Sequence, residues 1–177
     1  MEVNFFKYQG TGNDFVMLDN RAKEYKALTS DQIAYLCDRR FGVGADGLIM
    51  LEEENELLRM HYYNADGNLG SMCGNGGRCF VGFAHLLDLC KGSVQFMAFD
   101  GLHKANIIST SPMIVKLGMN EVTNFSLAAS GSVDVDTGSP HQVIFVNDIG
   151  NVDVATEGSL IRYSAKYKAH GINVNFV

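Results

Sequence analysis

The stretch Met72-Cys73-Gly74-Asn75-Gly76-Gly77-Arg78-Cys79-Phe80 sets a thiol directly before a glycine-rich segment and an apolar run. Further on, Cys79, Phe80, Phe83, Leu86, Leu87 and Cys90 recur with a helical period. That spacing predicts a central helix, buried on one face and carrying Cys79 and Cys90, with Cys73 at its N-terminus. The unpaired amides and the positive dipole end of such a terminus favour a thiolate, which can serve as base or nucleophile. Gly74, Gly76 and Gly77 let the backbone approach a ligand, and their N–H groups can hold a carboxylate or stabilise charge developing on it. The competing reading makes Cys73 a small buried hydrophobe and the glycines a tight turn. Cys79, on the apolar face, reads as core.

Other chemistries fit less well. The spacing from Cys73 to Cys79 is wrong for a Cys-x2-Cys knuckle, and His61 and His85 complete no recognisable ligand pattern. Gly42-Val43-Gly44-Ala45-Asp46-Gly47 lacks the Gly-Lys-Ser/Thr ending of a nucleotide loop. With 14 Lys and Arg against 20 Asp and Glu, the chain has a formal charge of -6 and no basic cluster able to neutralise a run of phosphates, so nucleic acid is not an expected partner. No leader pattern opens the chain and no apolar stretch reaches membrane-spanning length, so a cytoplasmic protein with no membrane partner is expected. In that setting the four cysteines, Cys37, Cys73, Cys79 and Cys90, should stay reduced.

The elements that must position these groups follow from pattern and punctuation. Asn4 to Tyr8 and Phe15 to Leu18 read as strands around the turn Gly10-Thr11-Gly12-Asn13-Asp14. Thr29 or Ser30 caps a helix through Ile33, Leu36 and Cys37, which stops at Arg39-Arg40 and a glycine loop. Strands are expected near Leu48 to Leu51 and Leu57 to Tyr63, followed by a turn at Asn64-Ala65-Asp66-Gly67. Asp100-Gly101 should make a tight hairpin between Val94 to Phe99 and Leu102 to Ile108, with β structure continuing to about Leu117. Small polar residues then mark a boundary near Gly118, giving domains 1–118 and 119–177. A strand at Val143 to Val146, a helix around Ser159 to Tyr163 and an alternating strand at 171–177 follow.

Five motifs, in order, carry a family resemblance: GTGNDFV at 10–16, CDRRFGVGADG at 37–47, NADG at 64–67, MCGNGGRCF at 72–80 and GSPHQVIFV at 138–146. Together they resemble diaminopimelate epimerase. The resemblance implies an α/β fold of the α+β type, a curved, mainly antiparallel sheet wrapped around a central helix, normally duplicated in two pseudo-symmetric domains with the active site in the cleft between them. It implies an isomerase that interconverts LL- and meso-diaminopimelate in lysine and cell-wall precursor biosynthesis. It further implies a homodimer at full length and chemistry with no cofactor and no Lys-bound pyridoxal. In the family one cysteine thiolate removes the α-proton and a second delivers a proton to the opposite face, because inversion needs a base on one side of the carbon and an acid on the other.

Residue by residue, Cys73 matches the first family cysteine and His141 the histidine near the cysteine pair, where it assists ionisation. Asn13, Asn64 and Asn173 match substrate-binding amides, and the backbone of Gly74 and Asn75 the carboxylate cradle. Ser139 stands where the family often has Asn. Neither the family's Glu-Arg pair nor its second Cys-Gly-Thr-Gly motif is found among the 177 residues. The expectation is therefore a fragment, inactive by itself as an epimerase and prone to associate through exposed sheet edge. A proline or hydroxyproline racemase of the same superfold, a cysteine hydrolase or transferase pairing Cys73 with His141, and a non-catalytic binding module are the alternatives.

Overall fold

A computed structural model describes residues 2–128 and 130–177. By internal contacts it divides into two compact units, Met1–Met119 and Asn120–Val177.

In the first unit seven strands form one sheet in chain order: β1 (Phe6–Gly10), β2 (Asn13–Asp19), β3 (Gly47–Glu54), β4 (Leu57–Asn64), β5 (Ser93–Ala98), β6 (Gly101–Thr110) and β7 (Met113–Leu117). Neighbours pair antiparallel except β2 with β3 and β4 with β5. The sheet curves around helix α2 (Gly74–Leu86), which touches β1, β2, β3, β4, β6 and β7. On α2 six consecutive residues, Cys79 to Ala84, are buried, which only a helix enclosed on most sides can satisfy. The one-faced burial read from its periodicity is corrected on this point. Phe80 packs on Phe96 with ring centroids 4.8 Å apart, and Phe83 on Phe6 at 5.0 Å. Each of the fully buried rings, Phe80, Phe83 and Phe96, contributes about 1.5–3 kcal/mol.

The helix is also shorter than its apolar spacing suggests. Asp88 takes a left-handed φ of 58° and the Leu89 N–H turns back to the Ala84 carbonyl at 2.9 Å, which stops propagation. Cys90 therefore lies beyond the helix, buried beneath the carbonyl of Val81.

The outer face of β2 and β3 is covered by α1 (Ser30–Cys37), whose Ile33 and Cys37 join Val16, Leu18, Leu48 and Met50 in a second core. Burial on both faces explains why β2 and β3 read as unbroken apolar runs rather than alternating ones. Thr29 caps α1 in a full capping box with Gln32.

The second unit holds a four-stranded sheet ordered β11-β10-β9-β8, with β8 (Phe125–Leu127), β9 (Val133–Asp136), β10 (Pro140–Ile144) and β11 (Asn173–Phe176), beside helix α3 (Val154–Arg162). β10 and β11 run parallel. The strand expected at 143–146 is displaced toward the N-terminus, α3 starts earlier than expected, and neither β8 nor β9 is expected from the sequence pattern. Among the described residues no helix is long and apolar enough to cross a membrane.

Candidate active site

Cys73 is the N-cap of α2, in extended backbone at φ −115° and ψ 116°, with its sulfur accepting from the Gly76 N–H at 3.3 Å. Its own carbonyl accepts from the Gly77 amide at 2.7 Å. Helix geometry leaves the Gly74 and Asn75 amides without intrahelical acceptors, so both remain available to an anion. Cys73 is half-buried, whereas Cys37, Cys79 and Cys90 are buried. Burial pushes the Cys37 and Cys79 thiols up to about 11, the neighbouring Cys73 adding to the effect at Cys79.

The glycines of this turn divide the work. A Cβ on Gly76 would lie 3.0 Å from Ile49 Cδ1, and one on Gly77 2.8 Å from Met72 Cε and 2.9 Å from Leu117 Cδ2. Both are buried and serve packing of the helix start against the sheet, not the approach of a ligand, which corrects the reading made from spacing alone. Gly74 is half-exposed and faces only the tip of Arg78 and Met119. Across the turn, a Cβ on Gly10 would meet both the Asn75 carbonyl and Cys79 Sγ at 3.3 Å, so β1 and the first turn of α2 are in direct contact.

The β1–β2 connection is only two residues, Thr11 (φ 54°) and Gly12 (φ 85°), the left-handed pair that matches strand twist. Gly10, Asn13 and Asp14 therefore belong to strands rather than to a longer loop. As the first residue of β2, Asn13 brings its Oδ1 to 3.6 Å from the Cys73 thiol, which donates to it. Asn64 ends β4 opposite Gly47 at the start of β3, at the same end of the strands as Asn13, and its backbone carbonyl accepts from Gly67 at 2.9 Å. Tyr62, two residues earlier, has its phenol pushed up to about 12 by burial and then by Cys73.

A charged network beside this group was not expected from the sequence. Asn13 Nδ2 donates to Asp46 at 2.8 Å, and Arg39 Nη2 donates to Asp46 at 2.9 Å and to Asp14 at 2.7 Å. Lys7 pairs with Asp14 at 2.8 Å. Arg39, then Lys7, holds the Asp14 carboxyl well below the usual carboxylate range, and the Asn13 amide lowers that of Asp46. The one sequence signal for it is the opposition of the Arg39-Arg40 pair to acids at 14 and 46, of which Asp14 lies 25 residues from Arg39.

His141 and Asn173 belong to the second unit, where β10 and β11 pair them directly. His141 Nδ1 accepts from Asn175 Nδ2 at 3.1 Å, and Asn173 Nδ2 donates to the Pro140 carbonyl at 3.1 Å. Pro140 and His141 also line a cavity of about 560 Å³ with Lys166, Tyr167 and His170. Of the residues singled out in the sequence, Cys73, Asn13, Gly74 and Asn75 are gathered around one helix start, Asn64 lies at the neighbouring strand end, and His141 and Asn173 form a separate pair within their own unit.

A family model described as diaminopimelate epimerase matches residues 5–123. The diaminopimelate epimerase of Flavobacterium psychrophilum is 48% identical over 176 residues, 99% of this chain and 68% of that protein. That of Chlorobaculum tepidum is 43% identical over 175 residues, covering 95% and 67%. Among solved structures, a predicted epimerase from Pseudomonas aeruginosa superposes with a TM-score of 0.65 at 13% identity, over 98% of this chain and 70% of the other. A probable proline racemase from Agrobacterium radiobacter gives 0.60 at 10% identity, over 93% and 61%. These structural likenesses bear on the fold, and they agree with the curved sheet around a central helix expected from the motifs.

Proposed function

The chain belongs to the diaminopimelate epimerase family, and on that premise we propose that it acts on diaminopimelate by proton transfer at the α-carbon, with Cys73 as the transferring thiol on one face. The observation that carries this reading is the Cys73 N-cap: a half-buried sulfur, hydrogen-bonded by a helix-start amide, beside two further amides free to hold a carboxylate. Anchoring the substrate carboxylate on Gly74 and Asn75 sets the α-carbon near Sγ and stabilises the negative charge that spreads onto the carboxylate as the proton leaves. Asn13 and Asn64 present donors and acceptors suited to a zwitterionic ligand. In the second unit, Asn173 is assigned to the substrate and His141 to assisting thiol ionisation.

We read residues 1–118 as the N-terminal epimerase domain and 119–177 as belonging to the second. The enzyme is taken as a cytoplasmic homodimer acting in lysine and cell-wall precursor synthesis. Cys37, Cys79 and Cys90 are buried in apolar surroundings, so none of them suits the second proton-transferring role. The 177 residues thus supply one side of a two-sided reaction: exchange with retention, not interconversion of isomers, is the activity expected of them alone. Identity to named diaminopimelate epimerases reaches 48%, against 10% to the proline racemase, which favours the epimerase reading over its rival.

The test is protection of Cys73 from alkylation. Diaminopimelate should slow labelling of Cys73 while proline does not. Protection by proline alone, or a stable acyl adduct on Cys73 seen as a mass increase, would replace the proposal with the racemase or hydrolase reading. Interconversion of LL and meso isomers by this chain alone at an ordinary enzymatic rate would overturn the one-sided assignment.

A further inference from the structure

We propose that Asp46 is a positioning residue for Cys73, acting through Asn13: its carboxylate fixes which end of the Asn13 amide faces the thiol. The inference rests on reading Cys73 as a proton-transferring group. An ionised carboxylate only accepts hydrogen bonds, so the Asn13 NH2 must face Asp46, at 2.8 Å, which leaves Oδ1 to face Cys73 Sγ at 3.6 Å. Asp46 is itself held on both oxygens. The one that takes Asn13 also accepts from the Asp14 amide at 3.2 Å, and the other accepts from Arg39 at 2.9 Å. Arg39 in turn grips Asp14 through two nitrogens, at 2.7 and 3.1 Å. Turning the Asn13 amide over would forfeit a charge-assisted bond and set two acceptors, Asn13 Oδ1 and the Asp46 carboxylate, against each other.

The strand register builds this arrangement. β2 and β3 run parallel with Phe15 opposite Gly47, and the Asp46 amide donates to the Asp14 carbonyl at 3.0 Å, so residues 13 and 46 meet at the same end of these two strands, next to the start of α2.

The consequence is a balance at the sulfur. The Gly76 N–H supports the thiolate, whereas Asn13 Oδ1 can accept only from the protonated thiol. A cysteine that both removes and returns a proton must be accessible in both forms, and the two contacts oppose each other across one atom. Without Asp46 the Asn13 amide is free to turn its NH2 toward sulfur, and the balance moves toward thiolate. Among the described residues, Tyr62 on β4 and Cys79 on α2 are titratable groups coupled to Cys73, with Arg78 acting on Cys79; the substitutions below leave all three in place.

The experiment follows iodoacetamide labelling of Cys73 by peptide mass at pH 7 and pH 10 in the native chain, Asp46→Ala, Asn13→Ala and the double variant. Losing one partly exposed hydrogen bond to the thiol form should speed labelling in Asp46→Ala by about two- to fivefold at pH 7. The rates should draw together at pH 10, because the contact that is lost is made only to the thiol form, and Asp46→Ala should add nothing in the Asn13→Ala background. An equal acceleration in that background means that the Asp46 charge acts directly on sulfur and overturns the proposal, as does an unchanged rate in a variant with native circular dichroism. Asp46→Asn, which keeps the side-chain shape and an acceptor for Arg39, should show the same sign and serves if the alanine variant does not fold. Failure of the functional reading appears instead as α-proton exchange independent of Cys73, and it leaves these labelling ratios untouched.

Discussion

Gly12 and Gly67 share a left-handed backbone, at φ 85° and 81°, but differ in the space around them, so alanine at each separates backbone strain from collision. A Cβ on Gly12 meets nothing within 4 Å, whereas one on Gly67 would lie 1.9 Å from the Ser30 carbonyl oxygen at the start of α1. Gly12→Ala should therefore cost only the left-handed penalty, about 1 kcal/mol. Gly67→Ala carries that penalty and must also displace backbone, which cannot rotate aside as a flexible side chain can, for a total above about 3 kcal/mol. With a urea dependence of about 2 kcal/mol per molar, the two midpoints should differ by about 1 M or more. Far-UV circular dichroism in urea measures both. Midpoints that fall together within about 0.2 M would refute the reasoning and show that the turn at 64–67 yields without cost. The turn matters beyond stability, because the Gly67 amide closes it on the carbonyl of Asn64.

Two further outcomes follow from the site. At pH 8 the Cys37 and Cys79 thiols, pushed up to about 11, should label about 100-fold more slowly than the same residues in urea from ionisation alone, with Cys73 labelled first in peptide mass analysis. On acidification the Asp14 contribution, set by a carboxyl held below its ordinary value, is fully present above about pH 4 and is lost as pH falls below that. Arg39→Gln should therefore lower stability at pH 7 and flatten its fall toward pH 3, as read from urea midpoints across that range.

Local signals were the legible part of this molecule. The Thr29 cap, the hairpin near Asp100-Gly101 and the thiol before a glycine-rich helix start all depend on residues within a few positions of one another, and each forms close to where the sequence places it. What stayed hidden depends on contacts between distant segments. The parallel pairing of β2 with β3 is what brings Asp46 to Asn13, 33 residues away, and no local pattern encodes that register. Gly76 and Gly77 carry the same letters whether they face a ligand or a packed core, and only the positions of Ile49, Met72 and Leu117 decide between them. Apolar spacing extended α2 to Cys90 because it is blind to the left-handed turn at Asp88. In the second unit, short strands with mixed polar and apolar faces give weak periodicity, so neither β8 nor β9 is legible in the sequence and β10 starts earlier than its pattern suggests.

The most direct test of Cys73 as the α-proton-transferring thiol is deuterium uptake from D2O into LL-diaminopimelate, followed by mass and chiral separation, for the native chain and Cys73→Ala. The expected result is uptake at the α-carbon with configuration retained, abolished by Cys73→Ala. Uptake that does not depend on Cys73, or none at all, would contradict the account.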